Sequence, residues 1–289
     1  MKVAVYGNFH QDAHIKSLRH MFSVLQANNV SVGMERDFYD YLSRLLPGLE
    51  VGDMIGDEVF DADVVMSIGG DGTFLRTAAK IGARQIPIVG INTGHLGYLS
   101  EVAASDFDLL FAEIEKGEYK IEERTLLEVE TDAEVVLPNR FALNEVAIQK
   151  NASASMLRME TAVNGNVLGD YLGDGVIVAT PTGSTAYNLS VGGPILHPVS
   201  GCFAISPIAA HSLTMRPLVL SDNSVIEITT VSNRSQTFRV AIDGVSVSFP
   251  IGSRICLRKA GHTVRLLQRR DHNFACALRN KLMWGADSR

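Results

Sequence analysis

Three glycines surround one aspartate in the stretch Ser-Ile-Gly-Gly-Asp-Gly-Thr at residues 67–73. A short apolar run precedes this stretch and predicts a buried strand, and residues 73–81 have the composition of a helix. The motif is thus expected where a strand ends and a helix begins, an edge at which open α/β sheets bind ligands and helix N–H groups bind phosphate. Because a carboxylate repels phosphate, Asp71 is expected to hold a metal or to accept a proton. The alternative is a tight turn with a solvated aspartate.

A second candidate region, residues 173–194, is rich in glycine and in hydroxyl groups. A buried-strand pattern at residues 176–179 leads into Thr-Pro-Thr-Gly-Ser-Thr-Ala-Tyr at residues 180–187, and a helix start is expected there. Hydroxyl groups, exposed N–H groups and one tyrosine ring suit a ligand that contains a sugar and a base. The alternative is a turn whose polar side chains have only a structural role, in which Ser184 or Thr185 caps the helix.

The pattern of elements changes once along the chain. In the first 123 residues, apolar runs typical of strands alternate with helical spacing, which predicts a doubly wound, mostly parallel sheet. Beyond that point the helical spacing of apolar residues disappears, and short runs in which apolar and polar residues alternate take its place. Asn164-Gly165 is a strong signal for a hairpin turn. We expect an α/β domain at 1–123, an antiparallel, sandwich-like β-rich domain at 124–268, and a helical C-terminal segment at 269–289 that docks back on the first domain.

Composition narrows the class of protein. The chain has 289 residues and a formal net charge of −6, which argues against a nucleic-acid surface. No apolar run approaches the ~20 residues of a membrane span, and the first residues do not have the pattern of a signal peptide. Its three cysteines lie far apart, without the spacing of a zinc site. These features predict a cytoplasmic protein with neither nucleic acid nor membrane as a partner.

The motifs together resemble those of a known family. Gly-Gly-Asp-Gly at residues 69–72, Asn144-Glu145 within a strand, Asp174-Gly175 and the turn at 182–187 have the content, order and spacing of the NAD kinase family. The glycine motif alone is shared with diacylglycerol, sphingosine and related lipid kinases, whereas the last motif is long and specific. The resemblance implies an α/β domain followed by a β-rich domain, with the active site in the cleft between them.

The resemblance also implies a role for each matching residue. Asp71 is the expected general base toward the 2′-hydroxyl of the adenosine ribose of NAD. Asn144 and Glu145 are expected to bind ribose hydroxyls, Asp174 the nicotinamide side, and Tyr187 the adenine. The residues expected to contact NAD are Asp71, Gly72, Arg76, Asn144, Glu145, Asp174, Thr185, Ala186, Tyr187, Asn188, Leu189 and Ser190, with Tyr98, Thr182 and Ser184 as further candidates. The phosphates of ATP are expected against Gly69, Gly70, Gly72 and Thr73.

The implied reaction is phosphorylation of NAD to NADP, with ATP as the donor. Mg²⁺ or another divalent cation is expected to bridge the donor phosphates, with no side chain assigned to it. A homodimer or homotetramer is also implied. The alternatives are a lipid kinase that shares only the glycine motif and a non-catalytic sensor of NAD or NADP. The chain departs from the family pattern at Leu172, where many relatives carry a basic residue, and at Val245, where a polar residue is usual.

Overall fold

The computed structural model describes residues 1–56, 61–94, 97–151 and 156–285; residues 286–289 of the expected C-terminal segment lie outside this range. The chain forms two compact units: Met1–Glu123 together with the residues from Val264 onward, and Arg124–Thr263. Both boundaries fall within long strands, Tyr119–Thr131 and Arg254–Arg269. The expected boundary after residue 268 also falls within the second of these strands.

The first unit has a mostly parallel sheet with helices, as the alternating pattern predicted. Its strands are β1 (Lys2–Gly7), β2 (Ser31–Glu35), β3 (Asp53–Ile55), β4 (Val64–Ile68), β5 (Ile88–Asn92) and β6 (Val102–Ala103). The helices among them are α1 (Ile15–Ala27), α2 (Arg36–Leu45), α3 (Asp71–Ile81) and α4 (Phe107–Glu115). The sheet has the parallel order β3-β2-β1-β4-β5.

This strand order creates a switch point beside the glycine motif. The chain runs outward from β1 to β3 and then returns to place β4 on the other side of β1. In open α/β sheets, ligands bind outside the carboxyl ends of the strands at such a point. All five residues of β4 are buried, so the motif that follows this strand is carried by a rigid element of the core.

The second unit consists of two antiparallel sheets. One contains β7 (Tyr119–Thr131), β8 (Phe141–Ala142), β10 (Leu157–Val163), β11 (Asn166–Gly173), β15 (Ile226–Val231) and β18 (Arg254–Arg269). The other contains β9 (Glu145–Lys150), β12 (Gly175–Ala179), β13 (Cys202–Ile208), β14 (Leu218–Ser221), β16 (Thr237–Ile242) and β17 (Val245–Pro250). Its strand order is β14-β13-β12-β9-β16-β17. The antiparallel β-rich prediction is therefore confirmed.

Alternate side chains of the two sheets form one apolar core. Val146, Val176 and Phe238 come from one sheet, and Met159 and Ile228 from the other, and all five are fully buried. Burial of one face explains the period of two in β10 and β15, where buried residues alternate with more exposed ones. The expected hairpin turn joins β10 to β11, with φ of 52° at its asparagine and 76° at its glycine, as a two-residue turn requires.

The C-terminal residues form part of the first unit. The last part of β18 pairs with β5 in parallel, at Leu266 and Ile88, and α6 (Phe274–Leu282) follows. The side chain of Asn273 caps α6 by accepting a hydrogen bond of 2.9 Å from the N–H of Cys276. In the part of the chain that the structure describes, none of the helices has the length and apolar character needed to cross a membrane.

Candidate active site

Asp71 is the first residue of α3, directly after the glycines that end β4. Gly69 has a φ of 144°, and a Cβ at this position would crowd Thr73 Oγ1, so glycine is required here. Gly72 is exposed, and an added Cβ there would meet nothing within 4 Å. Because the first N–H groups of a helix have no partner inside it, this turn offers donors and open access at the switch point.

The carboxylate of Asp71 is fixed by the backbone of a neighbouring loop. Oδ2 accepts a hydrogen bond of 2.7 Å from Tyr98 N, and Oδ1 accepts bonds of 3.0 Å from Leu99 N and 2.9 Å from Ser100 N. A Cβ at Gly97 would overlap Asp71 Oδ1, so glycine permits this close approach. Since each carboxylate oxygen has two acceptor sites, Oδ2 keeps one for a further donor.

Residues of the C-terminal segment also contact the loop that binds Asp71. Lys281 Nζ donates hydrogen bonds to Gly97 O and, at 3.1 Å, to Glu101 Oε1, and His272 Nδ1 lies 2.6 Å from Glu101 Oε2. Burial alone would raise the pKa of Glu101, but His272 and Lys281 hold this pKa below its usual value. The loop that contacts Asp71 is therefore restrained by two sets of charged or polar contacts.

Arg76 is exposed on α3 and lines a cavity of about 140 Å³ at the carboxyl end of β1. Acidic and basic side chains share this cavity, because Glu35, Asp37 and Lys80 line it too. Tyr98 lies against the C-terminal helix, with its ring centre 5.0 Å from Lys281 Nζ. Burial and the nearby carboxylate of Asp71 raise the pKa of Tyr98. The structure thus places both candidates on elements that adjoin Asp71.

In the second unit, Glu145 is the first residue of β9 and is only 8% exposed. Its Oε2 is buried and has no hydrogen-bond partner within the described residues. Burial and the carboxylate of Asp243 raise the pKa of Glu145 to about 7, although the N–H of Tyr187 favours the charged form. An unpaired buried oxygen is costly, so this group requires a partner that is a polar ligand or water.

The hydroxyl-rich turn packs on the segment that carries Asn144 and Glu145. Thr180 N donates to Asn144 O at 2.9 Å, and Thr180 Oγ1 donates to Leu143 O at 2.5 Å. A Cβ at Gly183 would overlap Asn144 O, so the two segments touch through backbone at this point. Within the second unit, the structure therefore brings together two motifs that are about 40 residues apart in the sequence.

The predicted helix start after this turn is confirmed, although the helix is short. Residues Thr182–Thr185 form a 3₁₀ turn, and a separate helix, α5, contains only Tyr187–Ser190. The break occurs at Ala186, whose φ of −96° and ψ of −128° lie outside the helical region. The hydroxyl of Ser184 donates to Pro181 O at 2.7 Å instead of capping a helix.

Several candidate side chains in this region form hydrogen bonds that stabilise the turn. Asn188 is fully buried, donates to Ser184 O and Pro194 O, and accepts from Ser206 Oγ at 2.6 Å. Ser184 is also fully buried, and Thr182 accepts from Arg124 Nη1 at 3.2 Å. The side chains of Asn188 and Ser184 have no free face, because burial and these partners occupy them. Any contribution of these two residues to binding comes through the shape of the turn.

The remaining candidates of the second unit are more accessible. Thr185, Ala186, Tyr187 and Leu189 are half-buried, and Ser190 is exposed. Tyr187 packs on the small apolar cluster that contains Ala147 and Ile177, and its hydroxyl accepts from Gln149 Nε2 at 2.8 Å. A half-buried ring held at its hydroxyl end is suited to stack on a base.

Three residues near these candidates were missed by sequence reasoning. Lys150 Nζ lies 2.6 Å from Asp174 Oδ1, which gives the half-exposed Asp174 a basic neighbour on β9. Gln149 supports Tyr187, and Asp243 contacts the backbone at the start of β9. Asp243 lies in the turn between β16 and β17, and the direction of its side chain depends on tertiary packing that no local signal reports.

Comparisons with known proteins agree with these motifs. The ATP-NAD kinase N-terminal domain matches residues 8–119, and the ATP-NAD kinase C-terminal domain matches residues 143–268. The NAD kinase of Bacteroides fragilis is 43% identical over 290 residues, with both chains covered completely. The chain belongs to the NAD kinase family. It is accordingly an enzyme, a kinase that binds nucleotides.

Solved structures extend the comparison within the NAD kinase family. An NAD kinase from Archaeoglobus fulgidus in complex with ATP has a TM-score of 0.72 and 29% identity, covering 93% of this chain and 94% of that chain. The yeast NADH kinase complexed with NADH has a TM-score of 0.90 over 100% of this chain and 89% of that one. Its identity of 23% makes it a match of fold.

Proposed function

We propose that the chain transfers the γ-phosphoryl group of ATP to the 2′-hydroxyl of the adenosine ribose of NAD, which yields NADP. The related enzyme from Bacteroides fragilis is named an NAD kinase, and the Archaeoglobus fulgidus structure is a complex with ATP. These names support NAD as the acceptor and ATP as the donor. A lipid acceptor has no comparable support.

The observation that carries the proposal is the position of Asp71. Its carboxylate stands at the start of α3 among glycines, and three backbone N–H groups orient it. Phosphoryl transfer has a loose transition state, so catalysis consists mainly of positioning and charge neutralisation. Asp71 accepts the hydroxyl proton late, as the O–P bond forms and the hydroxyl becomes acidic. The open acceptor site on Oδ2 is suited to this step.

The second unit supplies the proposed contacts to the acceptor nucleotide. A ribose hydroxyl would satisfy the buried Oε2 of Glu145, and Asn144 precedes Glu145 on the same segment. Tyr187 offers its half-exposed ring to the adenine, while Asp174 and Lys150 form an ion pair for the nicotinamide side. The remaining candidates, Thr185, Ala186, Leu189 and Ser190, stay predictions of contact with NAD.

A divalent cation fits the proposal as a companion of ATP. Within the described ranges, no group of three or more His, Cys, Asp or Glu side chains could hold a metal ion. Mg²⁺ usually keeps several waters and binds substrate phosphates, so it does not need such a cage. The donor phosphates, placed by Gly69, Gly70, Gly72 and Thr73, would hold the cation. It would neutralise charge on the transferred group.

The test is direct. The purified chain is incubated with ATP, Mg²⁺ and NAD, and NADP is measured with an NADP-specific dehydrogenase. We expect NADP to form in proportion to time and enzyme, and to require both ATP and the cation. Binding of NAD without formation of NADP would instead indicate the sensor, and phosphorylation of diacylglycerol in a parallel reaction would indicate the lipid kinase.

The proposal includes two properties that the family resemblance implies. We infer a homodimer or homotetramer, which light scattering of the purified chain tests, and a monomer at micromolar concentration would contradict this inference. A cytoplasmic location is proposed as well, and it is tested by fractionation of the source cells with NAD kinase activity as the marker.

A further inference from the structure

Asp243 lies in a two-residue turn between β16 and β17. Its φ is 47° and that of Gly244 is 84°, so both central residues have positive φ, as in a type I′ turn. Asparagine and aspartate are the side chains that tolerate the first of these positions best. The turn therefore explains why a residue of this class occurs at 243, but it leaves the role of the carboxylate unexplained.

The carboxylate of Asp243 points across to the segment that enters β9. Oδ2 accepts a hydrogen bond of 2.8 Å from Leu143 N, and Oδ1 accepts bonds of 2.8 Å from Asn144 N and 3.2 Å from Glu145 N. In return, Asp243 N donates to Glu145 O at 3.1 Å. Four hydrogen bonds thus fix the backbone of three consecutive residues.

The charge of Asp243 also affects Glu145 directly. Burial raises the pKa of both carboxyl groups, and the carboxylate of Asp243 raises the pKa of Glu145 further. Asp243 has three N–H donors, which favour its charged form, whereas the N–H of Tyr187 is the donor that favours charge on Glu145. The negative charge therefore resides on Asp243, and Glu145 holds a proton up to about pH 7. A protonated carboxyl can donate to one hydroxyl oxygen and accept from another hydroxyl.

We propose that Asp243 is a positioning residue of the substrate site, whose carboxylate fixes the backbone that carries Asn144 and Glu145. The inference rests on the proposed function, because it assumes that these two residues bind the nucleotide. Asp243 itself needs no contact with the substrate. Its effect is on where the Asn144 and Glu145 side chains lie and on the proton that Glu145 carries.

The variant Asp243→Asn tests the proposal, because asparagine retains the turn and the size of the side chain but removes the charge. We expect the KM for NAD to rise about tenfold or more, the range for losing a hydrogen bond to a charged group, with a smaller change in kcat. The limb of the pH profile that belongs to Glu145 should move to lower pH. Asp132→Asn is the matched control, since exposed Asp132 accepts a bond of 2.9 Å from Arg254 N in the same unit.

Hydrogen exchange provides a readout that does not depend on activity. The amides of residues 143–145 should exchange slowly in the wild-type chain and at least about tenfold faster in Asp243→Asn, with Asp132→Asn unchanged. Rapid exchange in the wild type, or equal protection in the variant, overturns the proposal, and so does an unchanged KM and pH profile. If the wild type forms no NADP, the proposed function fails while exchange still decides the role of Asp243. If the variant does not fold, the wild-type exchange still decides.

Discussion

Two aspartates, one in each unit, accept hydrogen bonds from three consecutive backbone N–H groups. Asp71 binds the N–H groups of Tyr98, Leu99 and Ser100, and Asp243 binds those of residues 143–145. In the first case the loop orients the carboxylate, which is the proposed proton acceptor. In the second case the carboxylate orients the loop, whose side chains are the proposed ligands. The same kind of contact therefore has opposite roles in the two proposals.

The surroundings of the two carboxylates differ in a way that fits these roles. Asp71 is partly exposed at the start of α3, between Gly70 and Gly72, where an added Cβ would meet nothing within 4 Å. Asp243 lies in a turn against Glu145, which is almost completely buried. The two carboxylates have the same number of N–H donors, so the difference between their proposed roles lies in their surroundings: open space beside Gly70 and Gly72 for Asp71, and a second carboxyl group for Asp243. Each of the following variants tests one side of this contrast.

The largest effect is expected for Asp71→Asn. The amide retains the size of the side chain but cannot take up the proton, so turnover should fall at least ~100-fold, the lower range for losing a general base. NAD binding should persist, as measured by calorimetry. The control is Asp63→Asn, because exposed Asp63 accepts a 2.7 Å bond from Lys2 N in the same unit and has no proposed role. Near-normal turnover of Asp71→Asn would remove Asp71 from the role of base.

The next largest effect is expected for Gly97→Ala. The added methyl group would overlap Asp71 Oδ1, so the carboxylate or its loop must move. Displacement of a catalytic group by about 1 Å can cost up to ~100-fold in rate, and we expect at least a tenfold fall in kcat with little change in NAD affinity. Gly56→Ala is the control, since a Cβ there meets nothing within 4 Å. Equal rates for the two variants would contradict the proposed positioning of Asp71.

The raised pKa of Glu145 predicts how the free energy of unfolding depends on pH. A raised folded-state pKa contributes stability below the unfolded pKa of 4.5, and this contribution is lost as the pH rises through about 7. The shift corresponds to about 3 kcal/mol at ~1.4 kcal/mol per pKa unit. Glu145→Gln should therefore unfold at higher urea than wild type at pH 8, and at similar urea at pH 4. The exposed Glu134→Gln should shift neither midpoint, and a Glu145→Gln variant that is less stable at pH 8 would refute the charge assignment.

The smallest effect is expected for Glu101→Gln, which weakens the restraint on the Asp71 loop. His272 and Lys281 lower the pKa of Glu101, so its contribution is present above the unfolded pKa and is lost as the pH falls through the lowered value. Losing a charged hydrogen-bond partner should cost about 1–3 kcal/mol at pH 7, measured by urea unfolding. The exposed Glu118→Gln should cost less than about 0.5 kcal/mol. A loss that persists undiminished in acid would show that charge is not its cause.

Local patterns were sufficient to predict much of the fold and the location of the glycine motif. The buried run of β4, the glycines and the apolar face of α3 are signals within about 20 residues of one another. The division of the chain into a parallel α/β part and an antiparallel part followed from the change in period near Arg124. The Asn164-Gly165 turn was equally local.

What the sequence did not reveal depends on residues far apart. The N–H donors to Asp71 lie 27 to 29 positions away, and those to Asp243 lie 98 to 100 positions away. The close approach of Gly183 to Asn144 also joins segments that are distant in the sequence, and no local periodicity reports it. Burial of Asn188 likewise depends on Ser206, which lies on another strand. Such long-range contacts decide which candidate side chains are free to bind a ligand, so the expected contacts with NAD stay predictions.

The contact between Lys281 and Gly97 joins positions that are 184 residues apart. On the ribosome, every residue of the second unit emerges before Lys281 does, because Arg124–Thr263 precedes this lysine in the chain. The nascent first unit must therefore wait, with its Asp71 loop held on one side only, until the whole second unit and then Lys281 have been synthesised.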